Sequence, residues 1–137
     1  MSVLLVIALI WINVGAATPT QTKPPLTPTG IAESFLARLG KGEIEPAYQQ
    51  LFAGSPLAAQ STQVQMLKSQ TESAFSIHGK ALGFELYKQD NFGESLVRLT
   101  YVQRLEKHPL VWKFWVYRPG SEWQVNGVVF NDQFNFE

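Results

Sequence analysis

Residues 112–130 read WKFWVYRPGSEWQVNGVVF, with three tryptophans, two phenylalanines and a tyrosine in one short stretch. The rings are not scattered. Before the turn they alternate, with Leu110, Trp112, Phe114 and Val116 on one side and Lys113, Trp115 and Tyr117 on the other. That period of two is the signature of a strand. Pro119-Gly120 then supplies a turn, because proline presets φ and glycine tolerates a positive one. Beyond it Trp123, Val125, Gly127 and Val129 are predicted to share one face of a returning strand over 122–130. A hairpin with one greasy face needs a cover, and that need decides the fold.

Working outward, residues 94–105 alternate in the same way, with Val97, Leu99 and Tyr101 opposite Arg98, Thr100 and Arg104. Residues 80–88 set Leu82, Phe84 and Leu86 against Glu85 and Lys88. DNFG and EKHP read as turns. Four strands joined by short turns predict an antiparallel meander, and Gly83 and Gly127 mark expected bulges where a sheet curls. Upstream the period lengthens to that of a helix. Ile31, Phe35, Leu36 and Leu39 fall on one face before Gly40, which stands where a C-cap glycine belongs. Pro46 suits the first turn of a second helix, in which Ala47 and Leu51, and Tyr48 and Phe52, line up. A third helix is expected over 57–77, with Val64, Leu67, Thr71, Ala74 and Phe75 as its stripe and glutamines and serines elsewhere. The fold class is α+β: three N-terminal helices on a curved four-stranded antiparallel meander.

The chain has 137 residues, enough for one domain over 31–137. Formal net charge is zero and no lysine or arginine block exists, so nucleic acid is not an expected partner. With no cysteine there is no disulfide, no thiol chemistry and no cysteine-ligated zinc. Residues 1–17 join an apolar run to small residues at Val14, Gly15, Ala16 and Ala17, the outline of a signal peptide. No Lys or Arg precedes the run, so a retained N-terminal anchor stays open, and only then is a membrane a partner. Cleavage makes the domain periplasmic or extracellular. TPTQTKPPLTPTG, residues 18–30, reads as a Pro/Thr-rich linker.

Three further segments carry a resemblance: GKGEIEPAYQQLF at 40–52, SIHGKALGFEL at 76–86 and the terminal hairpin. In order and spacing they resemble the nuclear transport factor two-like, or cystatin-like, superfamily, over residues 31 to about 134. The resemblance implies a cone with a pocket between the concave sheet face and the helices. It spans isomerases, dehydratases, cyclases and non-catalytic domains, including many small exported bacterial proteins, so it selects no activity.

The residues themselves supply little chemistry. The expected concave face offers Tyr48, Phe84, Leu99, Tyr101, Trp112, Phe114 and Trp123 as pocket candidates, and two hydroxyls without a carboxylate make a poor proton-transfer set. His78 and His108 are assigned to separate loops with no carboxylate at a motif-like spacing, and no metal site is expected. No cofactor is implied. The outer face, with Trp115, Tyr117 and Phe130 beside Lys113 and Arg98, is the candidate homodimer interface. The expectation is a non-catalytic exported domain that binds a small apolar ligand or a protein partner. The alternative is a small-molecule isomerase or dehydratase-like lyase using Tyr48 and Tyr101.

Overall fold

The computed structural model describes residues 26–137. Residues 1–17 and most of the linker lie outside the described residues, and with them the signal-or-anchor reading. Among the described residues no helix is long and apolar enough to cross a membrane. The order is α1 (Pro28–Gly40), α2 (Ile44–Leu51), a 3₁₀ turn (Pro56–Ala59), α3 (Ser61–His78), β1 (Ala81–Phe92), β2 (Leu96–Leu105), β3 (Leu110–Tyr117) and β4 (Gln124–Asn131). The four strands form one antiparallel sheet in the order β1-β2-β3-β4.

Helix α1 starts three residues ahead of Ile31. Thr27 is its N-cap, its hydroxyl accepting from the Gly30 N–H at 3.0 Å, and Pro28 opens the first turn. The last residues of the proline-threonine stretch are thus a helix start, since a threonine cap costs nothing the linker composition forbids and proline at N1 loses no bond. Gly40 closes the helix, and the residue that turns left-handed is Gly42, at φ 78°. The third expected helix is split. Ser55 caps the 3₁₀ turn through Leu57 N–H and also donates to the Val125 carbonyl, pinning this segment to β4.

The helices cover the inner face of the sheet. Phe35 of α1 stands at the centre, edge-on to Tyr48 at 4.9 Å, to Trp112 at 5.3 Å and to Phe114 at 5.8 Å. Ala32, Leu36, Leu39, Ala47, Leu51 and Leu99 close around them, all buried. Tyr48 of α2 shares a 2.7 Å hydrogen bond with Thr71, the one buried residue of α3. That bond gives the glutamine-rich helix a polar anchor where its apolar stripe is thin.

Two faces depart from strict alternation. In β4, Val125 pairs with Val116 but Gly127 pairs with Trp115, so Asn126 is an extra residue. The bulge reverses the parity. Gly127 and Val129 therefore lie on the outer face, and Phe130, expected outside, turns inward and packs on Trp112 at 4.6 Å. In β1, register shifts fall between Ala81 and Gly83 and between Leu86 and Lys88. Leu82 is the extra residue of the first shift and is 60% exposed, while Leu86, on the inner face opposite Tyr101, is 47% exposed. Neither belongs to the core, contrary to the expected concave row. The strand also runs on to Phe92, so the turn comes at Gly93 rather than across Asp90–Gly93.

The outer face has its own partial cover. After β4 the chain turns at Asn131, whose side-chain oxygen accepts from the backbone of Gln133 and Asn135. It then crosses back over the sheet, where Lys113 Nζ donates to the Glu137 carbonyl and Phe136 rests on Tyr87 of β1 at 4.7 Å. Under this strap Val111, Thr100 and Lys113 are buried although they face away from the helices.

Candidate functional site

The centre of the inner face is packed solid. Tyr48, Leu99, Tyr101, Trp112 and Phe114 are fully buried among one another and the helices. Trp123 precedes β4, half-buried at the margin, with the Arg118 guanidinium 4.7 Å over its ring. Among the described residues, four surface grooves border this core that Leu99, Tyr101, Trp112, Phe114 and Trp123 do not line. Tyr48 borders a groove between α2 and α3, and Phe84 borders one between α1 and β1.

The α1–β1 groove has the most informative chemistry. It lies where α1 meets β1 at the first register shift of that strand, between Ala81 and Gly83. About 280 Å³ of space opens between Leu36 and Ala37 on the helix and Ala81, Gly83 and Phe84 on the strand. Gly83 has φ 154°, a conformation that side chains rarely adopt, so the backbone favours glycine; the atom nearest a Cβ there would be the exposed, flexible Arg104 guanidinium at 2.7 Å. At the floor lies Gln103 of β2, only 1% exposed. Its side-chain oxygen accepts from Trp112 Nε1 at 2.8 Å, but its Nε2 has no partner among the described residues. Leaving a buried amide donor unpaired costs about 1–3 kcal/mol, so this is where the interior calls for an oxygen.

Two residues along the same face, the Tyr101 hydroxyl is also buried without a partner among the described residues. Phe84 and Phe114 hold its ring edge-on at 6.1 and 6.0 Å. Burial, with the Glu33 carboxylate adding to it, raises its pKa far above the usual phenol range. Burial likewise raises Tyr48, outweighing the opposing hydrogen bond from Thr71. Both hydroxyls stay protonated at neutral pH, neither is hydrogen-bonded to a carboxylate or imidazole among the described residues, and each can donate or accept a hydrogen bond.

A second polar cluster was not legible in the sequence. His78 ends α3, His108 lies in the β2–β3 turn, and Asp132 follows β4, yet the three meet. The imidazoles stack at 4.8 Å, His78 Nε2 lies 3.0 Å from the Asp132 carboxylate, and His108 Nε2 lies 2.7 Å from the Asp132 carbonyl. Because a carboxylate and a carbonyl only accept, each ring carries its proton on Nε2 here. The His78 hydrogen bond, ahead of other effects, holds the Asp132 carboxyl below its ordinary range. No group of three or more ligating side chains that could hold a metal ion occurs among the described residues. Only separation in sequence hid this cluster, since no spacing rule joins a helix end, a turn and a tail.

On the outer face, beyond the strap, Arg98 pairs with Trp115 across β2 and β3. Its guanidinium lies 5.4 Å from the Trp115 ring and 5.6 Å from Phe92, and donates twice to Asp90, at 3.1 and 2.8 Å. Trp115 also spreads over Gly127, whose Cβ, if present, would meet it at 3.2 Å. Tyr117 lies at the end of this row and Phe130 is on the opposite face. Comparisons with protein-family models, with curated proteins and with solved structures found no match to this chain.

Proposed function

We propose that this chain is an exported, non-catalytic binding domain of the nuclear transport factor two-like cone type, which takes a small, largely apolar ligand between α1 and β1. The observation that carries the reading is the unpartnered, buried amide of Gln103 in a groove whose other large side chains, Lys41 apart, are the apolar Leu36, Leu82 and Phe84. Leu82 and Phe84 at its rim offer the apolar surface that such a ligand buries. The non-catalytic part rests on the inner face itself, where among the described residues the ionisable groups buried with the packed rings are the hydroxyls of Tyr48 and Tyr101. The lyase alternative needs space beside both hydroxyls. Tyr48 is committed to Thr71, and Tyr101 lines none of the four grooves.

Titration of the ¹⁵N-labelled full chain with toluene tests the location. Amide shifts are expected at Ala37, Gly40, Leu82 and Gly83. Shifts confined to the outer face or to α3 would move the site elsewhere.

The outer face supports a second, compatible reading as a homodimer interface. The specific observation is the Trp115–Arg98–Phe92 cluster, left clear by the strap and bordered by Val129 at 54% exposure. Trp and Arg are the side chains that anchor interfaces. Light scattering across a concentration series tests it, and a monomer at high micromolar concentration removes it.

A further inference from the structure

Resting on the reading of the α1–β1 groove as a ligand site, we infer that its ligand presents a neutral oxygen acceptor to Gln103, so the chemical class is a carbonyl-bearing apolar molecule. The argument begins with the indole of Trp112. Its Nε1 is a donor and has no accepting capacity. Gln103 must therefore turn Oε1 toward it, which the 2.8 Å contact reflects. This fixes the orientation of the amide and leaves Nε2, with two N–H donors, as the group that remains. No described residue accepts from it.

A donor that is buried and fixed selects an acceptor. Gln103 lines the groove between Leu36 and Phe84 with its Nε2 sealed beneath the surface, so an oxygen entering as these side chains part can satisfy it. A purely hydrocarbon ligand leaves the amide stranded, whereas a ligand with its own oxygen supplies the missing bond. Polarity therefore separates ligands of equal size and shape.

Charge narrows the class further. The groove runs beside Gly40 and Lys41 at the C-terminal end of α1, where the helix carries partial negative charge. Lys41 is exposed and balances that end from solvent. With Lys41 offsetting the helix terminus, desolvation is what separates the ligands: a carboxylate buried against Gln103 without a paired cation is costly, and a neutral carbonyl is not. The ring-bearing wall at Phe84 suits a flat, aromatic or alicyclic body.

Acetophenone and isopropenylbenzene provide the test, because they share one carbon frame and differ by a carbonyl oxygen in place of a methylene. The ¹⁵N-labelled full chain is titrated with each, following backbone amides around the groove and the side-chain NH₂ of Gln103. Acetophenone is expected to bind about tenfold more tightly, the size of one well-made hydrogen bond. It alone should shift the Gln103 NH₂ resonances. Gln103→Met should bring the two affinities together. If that variant fails to fold, the NH₂ resonances of the unaltered chain carry the test without it. Equal or reversed affinities, with groove shifts from both probes, would overturn the carbonyl class and leave the groove standing. No groove shift from either probe would overturn the groove reading and this inference with it.

Discussion

Trp112 on β3 and Gln103 on β2 are joined by a buried 2.8 Å hydrogen bond between side chains that pair with different residues across the sheet. Tyr101 faces Trp112 and Leu110 faces Gln103, so the bond runs diagonally. It ties the central tryptophan of the core to the floor of the α1–β1 groove. Gln103→Leu removes the acceptor while keeping the bulk, and leaves the indole N–H unpaired. Urea denaturation should record a net change smaller than the cost of one stranded donor, about 1–3 kcal/mol, because the variant also removes the unpartnered Nε2. Tryptophan emission should change before unfolding begins.

Truncations should separate the centre of the core from its margin. Phe114 is enclosed by Phe35, Tyr101 and Trp112, so Phe114→Ala is expected to cost about 3–5 kcal/mol. Trp123 is half-buried under Arg118, so Trp123→Ala should cost clearly less. Equal losses in thermal and urea melts would mean that Trp123 belongs to the centre.

The two tyrosines give an alkaline signature. Tyr48 and Tyr101 have raised folded pKa values because burial disfavours phenolate. Their stabilisation is full below the unfolded value near 10 and is lost as pH rises toward the folded values. Ultraviolet titration should show their ionisation coinciding with unfolding rather than preceding it.

Acid acts through the tail cluster. Asp132 has a depressed folded pKa, chiefly through its hydrogen bond to His78. Its contribution is present above the unfolded value of about 3.9 and is lost as pH falls through the lower folded one. Asp132→Asn should therefore flatten the dependence of melting temperature on pH in that acid range. An unchanged slope would show that the His78 bond is not maintained in solution.

If the outer cluster is an interface, Trp115→Ala should lower self-association while circular dichroism and melting temperature stay close to those of the unaltered chain. A collapse in stability with no change in association would instead make Trp115 a cover for Gly127 and Arg98 alone.

The element order, the antiparallel meander and the central rings were legible because they rest on strong local signals. Pro119-Gly120 and the alternation of Trp112, Phe114 and Val116 allow only a hairpin, and Phe35 to Leu39 has a helical period. Parity beyond a bulge was not legible. Gly127 marked the right place, but the extra residue is Asn126, and one residue of slip exchanged Val129 and Phe130 between faces. The groove was concealed for a related reason: Leu82 and Leu86 read as core, but Leu82 is the extra residue of a bulge and both are exposed. Gln103 reads only as one more polar residue in a half-polar strand. Its position as the continuation of Val97, Leu99 and Tyr101 was the available signal.

A crystal structure of the chain with acetophenone tests the central claim most directly. The account predicts the carbonyl oxygen at hydrogen-bonding distance, about 2.7–3.2 Å, from Gln103 Nε2, with the phenyl ring against Phe84 and Leu36. Acetophenone seated in any other groove, or in this one with its oxygen turned to solvent, would contradict it.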